Sequence, residues 1–232
     1  VLKEILDPTP FMKNNNLSDV YEANVFLKRE DLQMVRSYKI RGAYNKIRSI
    51  DPETLKKGIV CASAGNHAQG VAFSCSKLQI IGSIFMPTTT PKQKIEQVKM
   101  FGKEFIEIVL TGDTFDAANA AAIAFAEESG RTFIPPFDDP KVMEGQGTIG
   151  REILNQTNAK LDYVFVPIGG GGLASGLGSY FKMMSPETKI IGVEPGGAPC
   201  MKAAIEAGEL VELEHIDKFV DGAAVKKAGA LT

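Results

Sequence analysis

Short, mostly apolar runs recur along the chain and alternate with stretches of helical spacing. The runs are Val25 to Leu27, Ile59 to Ala62, Ile80 to Met86, Phe105 to Leu110, Tyr163 to Ile168 and Ile190 to Val193. Between most of them lie Ala68 to Lys77, Pro91 to Phe101, Asp116 to Glu128 and Leu173 to Met184, each with apolar residues recurring on one helical face. A strand covered on both faces needs no polar alternation, so runs of this kind joined by helices predict an α/β fold with mostly parallel sheets. Helix starts carry matching chemistry. Pro91 suits a first helical position, and Thr114 or Asp116 a cap. The stretch from Phe133 to Pro140 holds three prolines in eight residues. It predicts a connection that is neither helix nor central strand, and a domain seam.

Composition narrows the partners. The chain has 232 residues, 44% hydrophobic and 23% charged, enough for one large domain or two small ones. Its 26 basic and 28 acidic residues leave a formal charge of -2, with no block of one sign, so a small molecule is expected rather than nucleic acid or an anionic membrane. Cys61, Cys75 and Cys200 are too few and too scattered for a disulfide framework or a zinc knuckle, and reduced, buried thiols are expected. The longest apolar stretches are strand-sized and no signal peptide is visible, which points to a cytoplasmic location. The chain begins at Val1 rather than Met, which suggests a trimmed N-terminus.

Three loops carry the candidate chemistry. In Ser37-Tyr38-Lys39-Ile40-Arg41-Gly42-Ala43, Ser37 fits an N-cap, placing Lys39 in the first turn of a helix. The positive end of the helix dipole then lowers the lysine pKa, as an imine-forming amine requires. Taken alone, this motif is more often a solvated surface lysine. Ser63-Ala64-Gly65-Asn66-His67 follows a strand and precedes a helix, where free backbone N–H groups suit a carboxylate. There Asn66 offers an amide to a ring hydroxyl, and His67 is either a ligand or a simple cap. His67 and His215 have no partner at metal-ligand spacing, so no metal is expected. Gly169-Gly170-Gly171-Gly172-Leu173 joins another strand to another helix, and four residues without a Cβ can wrap a phosphate.

A different class of function also fits the third loop. Gly169, Gly171 and Ala174 satisfy a loose dinucleotide-binding pattern, and Glu194 stands about twenty residues on, near the end of the next strand. An NAD-binding oxidoreductase leaves the other two loops unexplained. One ligand answers all three: pyridoxal 5′-phosphate carrying an amino acid, with a phosphate for the glycines, an aldehyde for Lys39, a hydroxyl for Asn66 and a carboxylate for Ser63 to His67.

At this point the sequence resembles the threonine dehydratases (threonine ammonia-lyases), which belong to the tryptophan synthase β-like, fold type II family of pyridoxal-phosphate enzymes. The matching segments are Lys28 to Gln33, Ser37 to Ala43, Ala62 to Gly70, Gly145 to Thr148, Gly169 to Leu173 and Phe219 to Val225. They run in family order over nearly the whole chain. The resemblance implies that Lys39 forms the imine with the cofactor and that Asn66 contacts its ring hydroxyl. It implies that Gly169, Gly170, Gly171, Gly172 and Leu173 bind the phosphate, and that Ser63, Ala64, Gly65, Asn66 and His67 take the substrate carboxylate. It implies two α/β domains, residues 1–32 plus 146–232 forming the larger and 33–145 the smaller, with the cofactor between them. The activity implied is β-elimination and deamination of L-threonine to 2-oxobutanoate and ammonia, as the first step of isoleucine biosynthesis, with serine giving pyruvate. A homo-oligomer, typically a tetramer, is implied too. The residue facing the pyridine nitrogen is expected beyond Thr232, which makes this a truncated chain. Serine racemase and serine dehydratase share the three loops; Lys28 to Gln33 and Ile40 to Ala43 favour threonine dehydratase. A non-catalytic binding module from the same fold has no use for Lys39.

Overall fold

A computed structural model describes residues 2–232. Two short strands, β1 (Phe11–Lys13) and β2 (Phe26–Lys28), pair antiparallel on either side of α1 (Asn15–Val20). The chain continues through α2 (Lys39–Arg48), α3 (Pro52–Leu55), β3 (Ile59–Ala62), α4 (Asn66–Leu78), β4 (Gly82–Met86), α5 (Lys92–Gly102), β5 (Ile106–Leu110), α6 (Phe115–Ser129) and β6 (Thr132–Phe133). Then follow α7 (Pro140–Gln156), β7 (Tyr163–Pro167), α8 (Gly172–Met184), β8 (Lys189–Val193) and α9 (Cys200–Ala207).

One sheet has the order β5-β4-β3-β6, all parallel, and a second pairs β7 with β8, also parallel. The first is covered on both faces. Ile59, Cys61, Ile84 and Met86 pack against Val71 and Cys75 of α4 and Val98 of α5, while Val60, Ala62 and Phe85 pack against Ala122 and Ala126 of α6. Each fully buried isoleucine or valine there contributes about 1.5–3 kcal/mol. β3 and β4, buried at every residue, thus read as nearly continuous apolar runs, whereas the edge strand β5 is partly exposed and carries Glu107. A third core joins Ile149 and Ile153 of α7 to Val166 of β7 and to Leu173, Leu177 and Phe181 of α8. The α/β reading holds, and β3 falls on the expected residues.

Several local expectations are corrected. Phe133 belongs to an edge strand, β6, paired with Val60, and Pro140 opens a seventeen-residue helix, so the connection shrinks to 134–139. Helix α7 itself was not expected. Pro91 is the cap position of α5 rather than its first helical residue, whereas Thr114 caps α6 by accepting from the Ala117 amide. Ser37 does not cap α2: Tyr38 holds that position, and the Ser37 hydroxyl is buried without a hydrogen-bond partner. All three cysteines are buried and free. Among the described residues no helix is long and apolar enough to cross a membrane.

The N-terminal segment, α2 and α7 are joined by a cluster of buried charges. Arg41, 1% exposed, makes paired bonds to Glu30 (Nε to Oε2 and Nη2 to Oε1, both 2.8 Å) and to Glu152 (Nη1 to Oε1 2.6 Å, Nη2 to Oε2 2.9 Å). Lys28 Nζ donates to Glu152 (2.6 Å), Gln156 (2.8 Å) and the Thr9 carbonyl (2.7 Å), and the Thr9 hydroxyl donates to Glu30 (2.6 Å). Burial pushes the Glu152 carboxyl up, but bonds from Arg41 and Lys28 outweigh it and hold the group below the usual carboxylate range. Removing one member of a buried, hydrogen-bonded ion set leaves the others uncompensated, at a cost of about 3–5 kcal/mol. Arg41→Met is therefore expected to lower the unfolding free energy from a urea titration by that amount, seen as a lower midpoint with little change in slope. A loss below about 1 kcal/mol is the range of an exposed ion pair and contradicts this description.

Candidate active site

In the four-stranded sheet, β3, β4 and β5 progress to one side, and β6 returns to the other side of β3. The order reverses between β3 and β6, and a crevice outside the carboxyl ends of parallel strands at such a point is where ligands bind in open α/β sheets. Ser63 to Gly65 leave β3 there, and α4 begins at Asn66. Gly65 occupies the cap position and provides no side chain, so the Asn66, His67 and Ala68 amides, which have no partner within the helix, are left for an anion. The Ser63 hydroxyl accepts from the Gly65 amide at 3.1 Å, tightening the turn. Asn66 is exposed. His67 is buried, and its Nε2 lies 2.9 Å from the Ile134 carbonyl just after β6, which places the ring proton on Nε2. Burial, with help from the nearby Lys39 charge, lowers its pKa to about 3, so the imidazole is neutral near pH 7. Its side chain is thus held against the end of β6.

Lys39 is the first residue of α2, and its Nζ donates to the Pro136 carbonyl at 2.9 Å. The ammonium stands 5.6 Å from the centre of the Tyr38 ring and 5.9 Å from that of Phe137. Burial lowers the lysine pKa from 10.5 to about 8. The sequence points to the helix dipole for this shift; in the structure enclosure is the cause. The same enclosure raises the Tyr38 phenol to about 12.

The tetraglycine leaves β7 and opens α8. Gly171 has φ +99°, a left-handed conformation that L side chains rarely adopt, and it turns the chain so that the first amides of α8 face outward from the helix end. A Cβ on Gly170 or Gly172 would strike Phe137. Residues near the C-terminus lie against the same loop: Gly229 N and Thr232 Oγ1 donate to the Gly170 carbonyl at 3.0 and 2.7 Å.

One cavity, about 30 Å³ in volume, is bounded by Tyr38, Lys39, Phe137, Gln146, Gly169 to Leu173, and Val225. The structure therefore brings Lys39 and the glycine loop together. Ser63 to His67 do not line this cavity, but they are close behind it. A Cβ on Gly70 of α4 would stand 3.1 Å from the Lys39 carbonyl carbon, and the His67 ring feels the Lys39 charge. Sequence reasoning missed Tyr38, Phe137 and Gln146. The clue to Phe137 was the stiff Pro-Pro-Phe stretch, which read as a connection and domain seam without a role in the site. Glu194, the anchor of the dinucleotide reading, accepts from the Met201 and Lys202 amides at 2.8 Å each and caps α9. Among the described residues, no cluster of three or more His, Cys, Asp or Glu could hold a metal.

The sequence profile described as "Pyridoxal-phosphate dependent enzyme" matches residues 2–232. The chain belongs to that family. Curated relatives of this family member include the L-threonine dehydratase biosynthetic IlvA of Halalkalibacterium halodurans, 59% identical over 230 residues, covering 99% of this chain and 55% of the relative. The Bacillus subtilis protein of the same name is 56% identical over 231 residues, again covering 55% of the relative. The chain thus spans about half the length of the curated relatives it matches. Among solved structures, threonine deaminase isoform 2 of Solanum lycopersicum superposes with a TM-score of 0.94 at 46% identity, covering 98% of this chain and 65% of that one. Maize serine racemase gives 0.94 at 32% identity, covering 100% and 69%.

Pyridoxal phosphate, the family's cofactor, is matched by the chemistry present. An enclosed amine with lowered pKa faces a loop that supplies backbone donors and no Cβ, with the Phe137 ring beside both. The amine makes its own prediction. Lys39 should react with an amine-selective acylating reagent with a half-point near pH 8, its neutral fraction rising as pH climbs, while exposed lysines follow about 10.4. Site-resolved mass spectrometry reads the two curves. A Lys39 half-point no lower than that of the surface lysines means that the amine is not enclosed.

Proposed function

We propose that the protein of which this chain is part uses pyridoxal phosphate to eliminate the β-hydroxyl of L-threonine and release 2-oxobutanoate and ammonia, with L-serine giving pyruvate. Bound cofactor supplies an electron sink for the charge left on the substrate α-carbon. The chain's residues do the rest. Lys39 holds the cofactor aldehyde through its Nζ and, once released by the incoming amino group, accepts the α-proton at the same atom. A pKa near 8 suits both roles, because about a tenth of the amine is neutral at pH 7, far more than for an ordinary lysine, and the protonated form still returns its proton readily. The amides of Gly170 to Leu173 and the α8 dipole hold the phosphate. The amides at the start of α4, with the Ser63 turn, hold the substrate carboxylate, and Asn66 reaches the ring hydroxyl.

The observation that carries this reading is the shared cavity of Lys39 and the glycine loop. Threonine as substrate is supported by relatives named L-threonine dehydratase at 52–59% identity, against 32% for the maize serine racemase. The name "biosynthetic" on those relatives favours a place in isoleucine formation. We place the seam between the two domains at the 134–139 connection, because a boundary between residues 145 and 146 falls inside α7.

The protein at its full natural length is expected to be yellow, to leave a borohydride-stable adduct on Lys39, and to form keto acid from threonine. Lys39→Ala is expected to lower turnover by at least about a thousandfold with the fold retained by circular dichroism. Full activity in Lys39→Ala removes the assigned amine. D-serine as the main product from L-serine, without keto acid, replaces the lyase reading with a racemase.

A further inference from the structure

Helix α7 lies between α2 and α8, and within three consecutive residues it meets the first turn of α2 and the second turn of α8. On one side Gly145 backs onto α2 so closely that a Cβ would collide with the Arg41 carbonyl, two residues after Lys39. Gln146, 1% exposed, accepts from the Gly42 amide at 3.2 Å and also lines the cavity. On the other side a Cβ on Gly147 would stand 2.9 Å from the Gly176 carbonyl oxygen, in the turn after the glycine cradle. In these contacts the opposing atoms are backbone, so a side chain cannot be accommodated by rotating a neighbour. Something must shift as a body.

We propose that α7 is the spacer that sets the distance between the Lys39 amine and the phosphate cradle, with Gly145 and Gly147 as positioning residues for an aldehyde that also carries a phosphate. This inference rests on the function proposed above. A ligand held at both ends gains from the second contact only if the two anchors are the right distance apart, much as a linked binder gains only when its linker spans both sites. Glycine inside a helix is destabilising relative to alanine, and close approach on both sides of α7 is what the glycines make possible.

The test compares pyridoxal 5′-phosphate with pyridoxal, which keeps the aldehyde and lacks the phosphate, in the full-length protein. Binding is followed by the yellow absorbance and by borohydride trapping on Lys39. Gly147→Ala is expected to reduce the affinity advantage of the phosphorylated form about tenfold, since sub-ångström misplacement of a reacting pair is felt at this level, while pyridoxal still labels Lys39 as in wild type. Gly178→Ala, on α8 with nothing within 4 Å of its added Cβ, is expected to leave the ratio unchanged. Gly150→Ala presses on the Tyr180 ring at 3.0 Å and serves if Gly147→Ala does not fold, with a smaller loss of the same sign. An unchanged ratio in the folded variants overturns the spacer, and so does an equal loss of both affinities, which marks a merely structural role. If wild-type Lys39 is labelled by neither aldehyde, the proposed function falls and takes this inference with it.

Discussion

A guanidinium that water does not reach must find carboxylates, and Arg41 has two. That requirement ties the N-terminal segment through Glu30, the start of α2 through Arg41 itself, and α7 through Glu152 into one block. The cluster sits two residues from Lys39, yet no carboxylate from it holds the Lys39 proton. Glu30 and Glu152 are spent on Arg41 and Lys28, and the amine is left with a backbone carbonyl as its hydrogen-bond partner. Neighbouring positions in one helical turn thus face opposite environments. Arg41 is buried with its charge compensated, whereas Lys39 is enclosed with its charge disfavoured. The first stabilises the fold, and the second makes a reactive amine.

Two helix N-termini, those of α4 and α8, leave their first amides free by different routes. At α4 the sheet topology does it: the order reverses beside β3, and the Ser63 turn emerges at the reversal. At α8 the backbone does it, through the left-handed Gly171. The bond from His67 to Ile134 crosses the reversal between β3 and β6 and joins the two sides of the crevice without using a charged group.

What could be read from the sequence follows from what each residue meets in the fold. β3 and the body of β4 and β5 were legible because strands packed between two layers of helix are mostly apolar, with Ser83 and Glu107 the polar exceptions. Helix α7 was not, although it is the longest helix described. Pro140, Gly145, Gly147 and Gly150 look like breakers, and the buried Gln146 interrupts the apolar period. The residues that hide the helix are those that let it approach α2 and α8. The loops that carry chemistry were legible as turns between strand and helix, since glycine and small polar residues there have few other uses. The cap on α2 was misplaced by one residue, because the tertiary packing that buries Ser37 leaves nothing in the local sequence to report it.

The cause of the lowered Lys39 pKa shows where local reasoning stops. A helix dipole can be read from position alone, but enclosure by Tyr38, Pro136 and Phe137 depends on residues separated by nearly one hundred positions. The Phe137 ring stands near the amine on one side and touches the glycine loop on the other. Basicity of the amine and width of the cradle are therefore set by the same contact. A change that moves Phe137 away from the glycines makes room for a ligand and at the same moment lets water reach Lys39, raising its pKa toward the ordinary lysine value.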